Sequence, residues 1–319
     1  RIVIYLLSNI LKNKPDLIYL NSSASLALVK DLFVALISKV FNVPFIIHFH
    51  FGRIPDISRN KGWEWWLLKS IINLSTSVIV LDEKSLRALN KKGFNNIFNV
   101  PNPVSIDIEK YLLNNSLHPI SNHNELVDVI FVGHVVTTKG VFELVEACSL
   151  IDNIDRLIII GPVESNIKGQ LLKLCEASNV ELIFTGILNN SSVYSYMKEA
   201  TVLALPSYTE GFPNVVIEAM AMKCPVVATD VGAIPDMLDY GTLQPAGLVI
   251  KPRDVKALRG AISSIILDKE VANQLVENAF LKVNNKYTLA AVCDEYEKIW
   301  QAAIMEPNSS PNLIQTLLK

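Results

Sequence analysis

Short apolar segments rich in valine and isoleucine recur along the chain, and segments with helical spacing separate them. Continuous apolar strands are typical of parallel sheets that are covered on both faces. Their alternation with helices favours an α/β fold with right-handed crossovers. The chain has 319 residues, half of them hydrophobic, so we expect two domains of ordinary size.

Ten strands are predicted, four in the first half and six in the second. They are expected near residues 16–20, 44–50, 77–81, 97–100, 128–133, 156–160, 181–184, 202–205, 225–229 and 247–250. Helices are expected at 2–13, 25–41, 63–74, 83–91 and 288–304. Residues 114–124 are rich in polar residues and have no periodicity, which indicates a linker. These features predict domains at 1–118 and 125–305 and a frayed tail at 306–319.

Composition and charge exclude several classes of protein. No apolar run reaches the ~18 residues that a membrane span needs. The four cysteines lack metal-binding spacing, so we expect buried thiols in a reducing compartment. Residues 1–120 hold 14 Lys and Arg against 8 Asp and Glu, although the whole chain has a net charge of −2. No basic stripe with interleaved aromatic residues appears, so nucleic acid is not an expected partner.

The strongest indication of a ligand site is the segment LPSYTEGFPNVVIEAM at 205–220. An apolar strand leads into a polar loop that carries Glu210. Gly211 and Pro213 then open a helix that carries Glu218. Proline suits the first position of a helix because the N–H of that residue has no partner within the helix, so proline, which lacks an N–H, loses no hydrogen bond there. The segment therefore predicts a loop carboxylate and a helix carboxylate close to one helix start.

The start of that helix suits a phosphate group. The backbone amides of Asn214 and Val215 would point outward with the positive end of the helix dipole. Glu218 would lie roughly 7 Å further along the axis at ~1.5 Å per residue, beside a hydroxyl-rich group. Together these features outline a site for a nucleotide sugar.

A second candidate segment follows the strand at 128–133. Gly133 would permit close approach of a ligand to the backbone at the strand end. Lys139 opens the next helix, where a cation is electrostatically unfavourable, and that misfit favours a ligand role over a plain surface lysine. Ligands gather at the carboxyl ends of strands in open α/β sheets. We therefore expect the Lys139 ammonium to bind a diphosphate at the edge where the Glu210 loop lies.

These motifs resemble the signature of retaining GT-B glycosyltransferases of the family-4 type (glycosyl transferases group 1). FVGHVVTTKG at 131–140, IIIGP at 158–162 and PVVATDVGAIP at 225–235 follow the family's order, and the resemblance extends from about residue 15 to 300. It implies two Rossmann-like, doubly wound parallel-sheet domains that face a cleft. The family normally begins with a strand and a glycine-rich turn that are missing here, so we expect a truncated N-terminal domain.

The resemblance also implies roles for the matching residues. Glu210 would face the transferred sugar, Glu218 would bind the ribose and Lys139 would hold the diphosphate. His134 stands where most relatives have arginine, and because histidine cannot form arginine's bidentate fork, its contact with phosphate is left open. The residues expected to contact the donor are Gly133, His134, Lys139, Gly186, Leu188, Glu210, Gly211, Phe212, Asn214, Val215 and Glu218.

The third expected catalytic residue, beside Glu210 and Lys139, is His50. It closes the strand at 44–50, and it resembles a family residue that lies near the donor sugar or the acceptor. His48 points to the same side of the strand, and one of the two is expected to be a core histidine. The segment with Gly186 and Leu188 resembles the one whose backbone reads the nucleobase in the family, which leaves UDP- and GDP-linked donors open.

We therefore expect a hexosyltransferase that moves a sugar from a nucleoside diphosphate sugar to an acceptor hydroxyl with retention of configuration. The expected acceptor is a glycan or a lipid-linked molecule in cell-surface polysaccharide or glycolipid synthesis. No cofactor is expected, because the nucleoside diphosphate sugar is the donor substrate, and no metal is expected, because no acidic triplet such as Asp-x-Asp occurs. Two alternatives remain open: a non-catalytic or truncated sugar-nucleotide-binding protein and a sugar-nucleotide 2-epimerase.

The expected location is the cytoplasm, with the inner face of the cytoplasmic membrane as a further option. WEWWLLK at 63–69 opens a helix in the basic half of the chain, and tryptophan, leucine and basic residues are combined in helices that lie on membranes. The alternative is that these tryptophans pack beneath the first sheet.

Overall fold

The computed structural model describes residues 2–115 and 126–305. The chain divides into two compact units. Of the described residues, the first unit holds 2–102 and 290–305, and the second holds 103–289. Each unit contains one sheet in which all strands are parallel, so the expected α/β fold is confirmed.

The first unit has a four-stranded sheet whose strands lie in chain order. They are β1 (Ile18–Ser22), β2 (Phe45–Phe49), β3 (Ser77–Val80) and β4 (Ile97–Asn99). Its helices are α1 (Ile2–Lys12), α2 (Ala27–Val40), α3 (Ile54–Asn60), α4 (Trp63–Leu74), α5 (Glu83–Asn90) and the last helix of the described residues, α14 (Leu289–Met305).

Strand β2 shows why α14 belongs to this unit. All five residues of β2 are buried, and their side chains alternate between the two faces of the sheet. Phe45, Ile47 and Phe49 pack in one apolar cluster, whereas Ile46 packs in another together with Ile299 of α14. The sequence-based boundary assigned residues 289–305 to the second domain; the structure places 290–305 with the first sheet, because α14 covers one of its faces.

The second unit has a six-stranded sheet in the order β10-β9-β8-β5-β6-β7. The strands are β5 (Asp128–Val132), β6 (Arg156–Ile160), β7 (Glu181–Gly186), β8 (Val202–Leu205), β9 (Val226–Thr229) and β10 (Leu248–Ile250). The helices are α6 (Ile106–Asn115), α7 (Val141–Ser149), α8 (Ser165–Cys175), α9 (Asn190–Glu199), α10 (Asn214–Ala221), α11 (Ile234–Met237), α12 (Val255–Leu267) and α13 (Lys269–Lys282).

The strand order of the second sheet locates a ligand site. Counted from its own first strand, the sheet reads 6-5-4-1-2-3, the doubly wound order of dinucleotide-binding domains. The order reverses between β5 and β8, which are hydrogen-bonded neighbours. In such sheets the crevice outside the carboxyl ends of the two switch strands binds ligands.

All ten predicted strands are present, but other boundaries differ. Helix α6 was not predicted, and it lies in the second unit with Ile108 fully buried, so the division of the chain falls at Asn102 rather than near residue 118. Residues 114 and 115 end α6, and the rest of the expected linker lies outside the described residues, as does the expected tail at 306–319. None of the helices in the described ranges combines the length and apolar character needed to cross a bilayer.

Candidate active site

The switch point of the second sheet brings Lys139 and Glu210 together. Lys139 ends a short 3-10 turn (Thr137–Lys139) that follows β5, and Glu210 lies in the loop after β8. The Nζ atom of Lys139 donates a hydrogen bond to Oε1 of Glu210 over 2.6 Å. The two side chains are 29% and 10% exposed, so the pair is largely shielded from water yet reachable by a ligand.

A close approach between two backbone segments fixes the distance between Lys139 and Glu210. Gly140 has a φ of 69°, and a Cβ built on it would lie 2.1 Å from the carbonyl oxygen of Pro206. The N–H of Tyr208 donates to the carbonyl of Thr138 over 2.9 Å. The turn that carries Lys139 therefore lies directly against the loop that carries Glu210, and only glycine fits at position 140.

The other side of the Glu210 loop lies against the segment after β9. Gly232 has a φ of 54°, and a Cβ there would lie 2.4 Å from the carbonyl oxygen of Glu210. The N–H of Ala233 donates to the carbonyl of Gly211 over 2.9 Å. The hydroxyl of Thr229 donates to the carbonyl of Ser207 over 2.6 Å. The loop is therefore fixed on both sides by backbone contacts.

Three neighbouring strands each end at a glycine on this edge of the sheet. Gly133 follows β5, Gly161 follows β6, and Gly186 ends β7. The N–H of Gly133 donates to the carbonyl of Ile160, and the N–H of Gly161 donates to that of Gly186, each over 2.9 Å. A Cβ on Gly161 would lie 2.0 Å from the carbonyl oxygen of Gly133. Packing alone therefore requires Gly161, a residue to which the sequence had assigned no role.

Residues beside these glycines differ in exposure. His134 is exposed directly after Gly133. Leu188 is half-buried and packs against the core of the unit, whereas Ile187 is 78% exposed. An exposed isoleucine after a strand end offers an apolar surface against which an aromatic ring of a ligand can pack.

Helix α10 begins one residue later than the sequence predicts. Pro213 occupies the N-cap rather than the first helical position, and no side chain caps the helix there. Asn214 is exposed, while Val215 and Phe212 are half-buried against the core. Glu218 lies further along the helix and is half-buried, and this burial raises the pKa of its carboxyl above 4.5.

His50 belongs to the first unit and lies next to His48. The two ring centroids are 3.9 Å apart, and Nε2 of His50 is 2.9 Å from Oδ1 of Asn21. His48 is buried, and its Nδ1 is 2.8 Å from the hydroxyl of Tyr19 and 3.3 Å from that of Tyr296. Burial, with the neighbouring His50, lowers the pKa of His48 to about 3, and burial also lowers the pKa of His50. Both rings are therefore mainly uncharged at neutral pH.

Sequence reasoning missed three residues around the Glu210 loop. The hydroxyl of Tyr208 donates a hydrogen bond to Oε1 of Glu143 on the first turn of α7. The guanidinium carbon of Arg253 lies 4.5 Å from the centre of the Tyr208 ring. Tyr208 and Glu143 are 65 positions apart, so no periodic pattern in the sequence could pair them.

The geometry brings Lys139 and Glu210 together in the second unit, and Gly133 and Gly186 lie at the ends of β5 and β7 in the same sheet. Their catalytic and binding roles stay predictions, as does that of His50 in the first unit. Among residues 2–115 and 126–305, no group of three or more His, Cys, Asp or Glu side chains could hold a metal ion.

Comparison with known proteins gives relatives over nearly the whole chain. The putative teichuronic acid biosynthesis glycosyltransferase TuaC of Bacillus subtilis is 25% identical over 91% of this chain and 72% of the relative. The capsular polysaccharide biosynthesis glycosyltransferase CapM of Staphylococcus aureus is 26% identical over 80% of this chain and 69% of the relative.

Solved structures share the fold. Anabaena Alr3699/HepE in complex with UDP matches with a TM-score of 0.74 and 19% identity, over 94% of this chain and 82% of that one. Sucrose-phosphate synthase from Thermosynechococcus elongatus matches with a TM-score of 0.75 and 20% identity, over 95% and 77%. The two Rossmann-like units of this chain are therefore those of the GT-B fold.

The family model described as glycosyl transferases group 1 matches residues 115–282, more than half of the chain. That match includes the Lys139 turn, the Glu210 loop and helix α10. The chain therefore belongs to the glycosyl transferases group 1 family.

Proposed function

We propose that this protein transfers a hexosyl group from a nucleoside diphosphate sugar to an acceptor hydroxyl, with retention of configuration, as a family-4 type enzyme. The observation that carries the proposal is the 2.6 Å contact between Lys139 and Glu210 at the switch point of the second sheet. This contact places a cation and a carboxylate where such sheets bind nucleotides.

Lys139 would stabilise the leaving group. As the bond between the sugar and the diphosphate breaks, negative charge develops on the phosphate oxygens, and a fixed ammonium in a partly shielded site favours that charge. The start of α10 would add the positive end of its helix dipole. Exposed His134 would supply one further hydrogen bond to the diphosphate.

The two glutamates would act on the sugars of the donor. Glu210 would accept hydrogen bonds from the transferred sugar or stabilise positive charge that develops on it. Glu218, which lies further along α10, would accept hydrogen bonds from the ribose. His50, which is mainly uncharged at neutral pH, would act as a hydrogen-bond partner of the donor sugar or the acceptor.

Retention is proposed because the sequence motifs resemble those of the retaining family-4 type. Glu210 is held by the Lys139 ammonium in the substrate-free protein and is assigned to the sugar hydroxyls, so we propose no covalent intermediate on it. The leaving diphosphate would instead accept the proton of the acceptor hydroxyl on the face from which it departs. The anomeric configuration of the product, measured by NMR, tests this step directly, and an inverted product would contradict it.

The relatives support a particular donor and acceptor class. HepE was solved in complex with UDP and with UDP-glucose, which favours a UDP-linked donor. TuaC and CapM are named for teichuronic acid and capsular polysaccharide biosynthesis, which favours a glycan or lipid-linked acceptor in cell-surface polysaccharide synthesis. The donor is the substrate, and the proposal requires neither a further cofactor nor a metal.

The test measures release of nucleoside diphosphate and formation of glycoside from UDP, GDP and ADP sugars with the purified chain. We expect Lys139→Ala and Glu210→Ala to lower turnover by ~100-fold or more, because each removes a preorganised charge. Lys173→Ala, at an exposed position of α8, is the matched control and should leave turnover unchanged.

Other outcomes would point to the alternatives. Binding of a donor without turnover in the wild-type chain would indicate a sugar-nucleotide-binding protein. If the chain converts the donor to its 2-epimer when no acceptor is present, the protein is an epimerase. Near-wild-type turnover of Lys139→Ala would remove the proposed role of the lysine.

We also propose that the first unit binds an anionic membrane surface through α2 and α4. Helix α2 buries one face in the core but leaves an apolar stripe on the opposite face. The stripe consists of Leu26, Val29, Phe33, Leu36 and Val40, which are between 40% and 78% exposed. A helix that is apolar on its outer face as well as on its core face normally requires a cover for both faces.

The neighbouring helix extends this surface. Helices α2 and α4 pack against one another, and α4 exposes Trp63 and Trp66. Both tryptophans had been expected either at a membrane or beneath the sheet, and both are more than half exposed. Tryptophan and leucine are typical of the apolar face of helices that lie on a membrane.

The charges of the two helices match an anionic surface. Lys39 on α2 and Lys69 on α4 are exposed. The acidic residue of α2, Asp31, is fully buried, and that of α4, Glu64, accepts a hydrogen bond from Ser25 over 3.0 Å. The outer surface of this pair therefore combines apolar side chains with lysines, each worth about 1 kcal/mol near anionic lipid.

Flotation with vesicles tests this second proposal. We expect the chain to float with vesicles that contain anionic lipid at low salt and to dissociate at high salt. Phe33→Glu should abolish flotation, while Leu281→Glu, at an exposed apolar position of the second unit, should not. Absence of binding at low salt would contradict the proposal, as would a dimer in solution that Phe33→Glu dissociates.

A further inference from the structure

Two side-chain contacts join the segment that carries Lys139 to the loop that carries Glu210. Residues 137–143 contain Lys139 and Glu143, and residues 206–210 contain Tyr208 and Glu210. The first contact is the ion pair between Lys139 and Glu210. The second is the hydrogen bond from the Tyr208 hydroxyl to Oε1 of Glu143. The two contacts differ in what a bound donor would do to them.

A diphosphate would compete with Glu210 for the Lys139 ammonium. Lys139 has three N–H donors, but its short contact with Glu210 must loosen or be shared if phosphate oxygens bind the same nitrogen. The Tyr208 contact involves neither of these groups. It would therefore remain when the donor is bound and keep the loop against the Lys139 turn.

The surroundings of Tyr208 suit a permanent contact. Burial, the hydrogen bond to Glu143 and the charge of Glu143 raise the pKa of the Tyr208 phenol above its ordinary value and outweigh the opposite effect of Arg253, so the phenol keeps its proton at neutral pH. The Arg253 guanidinium lies over its ring at 4.5 Å from the centroid. The Oε2 atom of the half-buried Glu143 is itself buried without a hydrogen-bond partner, so loss of the Tyr208 hydroxyl would remove the hydrogen bond that its Oε1 atom accepts and leave the carboxylate less compensated.

We propose that Tyr208 is a positioning residue that fixes the Glu210 loop to the first turn of α7 through Glu143, and so keeps Glu210 beside Lys139 when a diphosphate binds. The inference rests on the proposed transfer reaction for its consequence in turnover. The contact itself can be tested without any substrate.

The first measurement is hydrogen exchange of the substrate-free chain, followed by mass spectrometry. Tyr208→Phe retains the ring under Arg253 and the backbone N–H bonded to Thr138, and it removes only the hydroxyl. We expect faster exchange in peptides that cover residues 206–213, because the loop then has one fewer tether to α7. Tyr240→Phe, at a tyrosine that is 58% exposed in the same unit, is the control and should leave exchange unchanged.

The second measurement is steady-state turnover. We expect Tyr208→Phe to lower kcat about tenfold or more while the donor KM changes much less, because misplacement of Glu210 affects the transition state more than donor binding. Glu143→Gln keeps an acceptor oxygen and should stay close to wild type, whereas Glu143→Leu should behave like Tyr208→Phe. The double variant Tyr208→Phe with Glu143→Leu should be no slower than either single variant.

These outcomes separate the role of Tyr208 from the proposed transfer reaction. Unchanged exchange in Tyr208→Phe would overturn the tether whether or not the chain has activity. Faster exchange with unchanged kcat in an active enzyme would overturn the positioning role. If the wild-type chain turns over no donor, the proposed function fails, and the exchange result still decides whether Tyr208 fixes the loop.

Discussion

At the scale of single residues, the two glutamates of the candidate site differ in environment. Glu210 is bound to an ammonium, whereas the carboxyl of Glu218 has its pKa raised by burial. A half-buried carboxylate costs free energy in the folded protein unless a ligand compensates for its lost hydration. This cost fits the proposed role of Glu218 in binding the hydroxyls of the ribose.

We predict that Glu218→Gln stabilises the substrate-free protein at neutral pH and weakens donor binding. The folded state binds the proton of Glu218 more tightly than the unfolded state does, so wild-type stability falls as pH rises through the window above 4.5. Glutamine does not titrate, so the Glu218→Gln variant does not lose stability in this pH window. Its Tm should exceed that of the wild type at neutral pH, and the difference should shrink as the pH is lowered towards 4.5 and stay constant below that value.

Thermal unfolding across a pH series and calorimetric titration with UDP measure the two parts of this prediction. Glu176→Gln, at an exposed position of the same unit, should change neither quantity. A Tm difference between wild type and Glu218→Gln that does not vary with pH would contradict the argument from burial.

At the scale of elements, we predict that Gly140→Ala separates the Lys139 turn from the Glu210 loop. Alanine would have to adopt a φ of 69° and place its Cβ 2.1 Å from the Pro206 oxygen, which the backbone cannot accommodate without a shift. We expect a loss of about 2 kcal/mol or more in urea unfolding, together with a loss of turnover.

Gly260→Ala is the matched control for this substitution. Gly260 is exposed within α12, and a Cβ built on it meets nothing within 4 Å. Alanine has the higher helix propensity, so this variant should be more stable than the wild type by about 0.5–1 kcal/mol. Equal effects of the two substitutions would show that the approach of Gly140 to Pro206 does not hold the site together.

The sequence predicted elements with a strong period and missed those without one. The expected strand at 44–50 corresponds to β2 at Phe45–Phe49, because five consecutive apolar or aromatic-ring residues indicate a buried strand. Helix α3 was expected to be a loop, since it has seven residues and a proline near its start. The Tyr208–Glu143 contact left no trace in the sequence, because it depends on how two loops pack and not on any repeat.

At the scale of the whole molecule, the last helix decides how the chain is divided. Sequence order alone suggests that α14 ends the second domain, since only residues 283–288 separate it from α13. The structure instead shows Tyr296 and Trp300 of α14 against the ring of Tyr19, at centroid distances of 6.2 and 5.5 Å. Aromatic and aliphatic side chains of α14 therefore complete the core of the first unit.

We predict that Ile299→Ala unfolds the first unit preferentially. Ile299 is 2% exposed and packs with Ile46 of β2 and Ile79 of β3, so its truncation should cost about 2–5 kcal/mol. Hydrogen exchange should become faster in β2 and β3 and stay unchanged in β5. Ile304→Ala, at a position of α14 that is 45% exposed, should stay within about 0.5 kcal/mol of wild type. If β5 lost protection instead, α14 would belong with the second unit, and the division at Asn102 would be wrong.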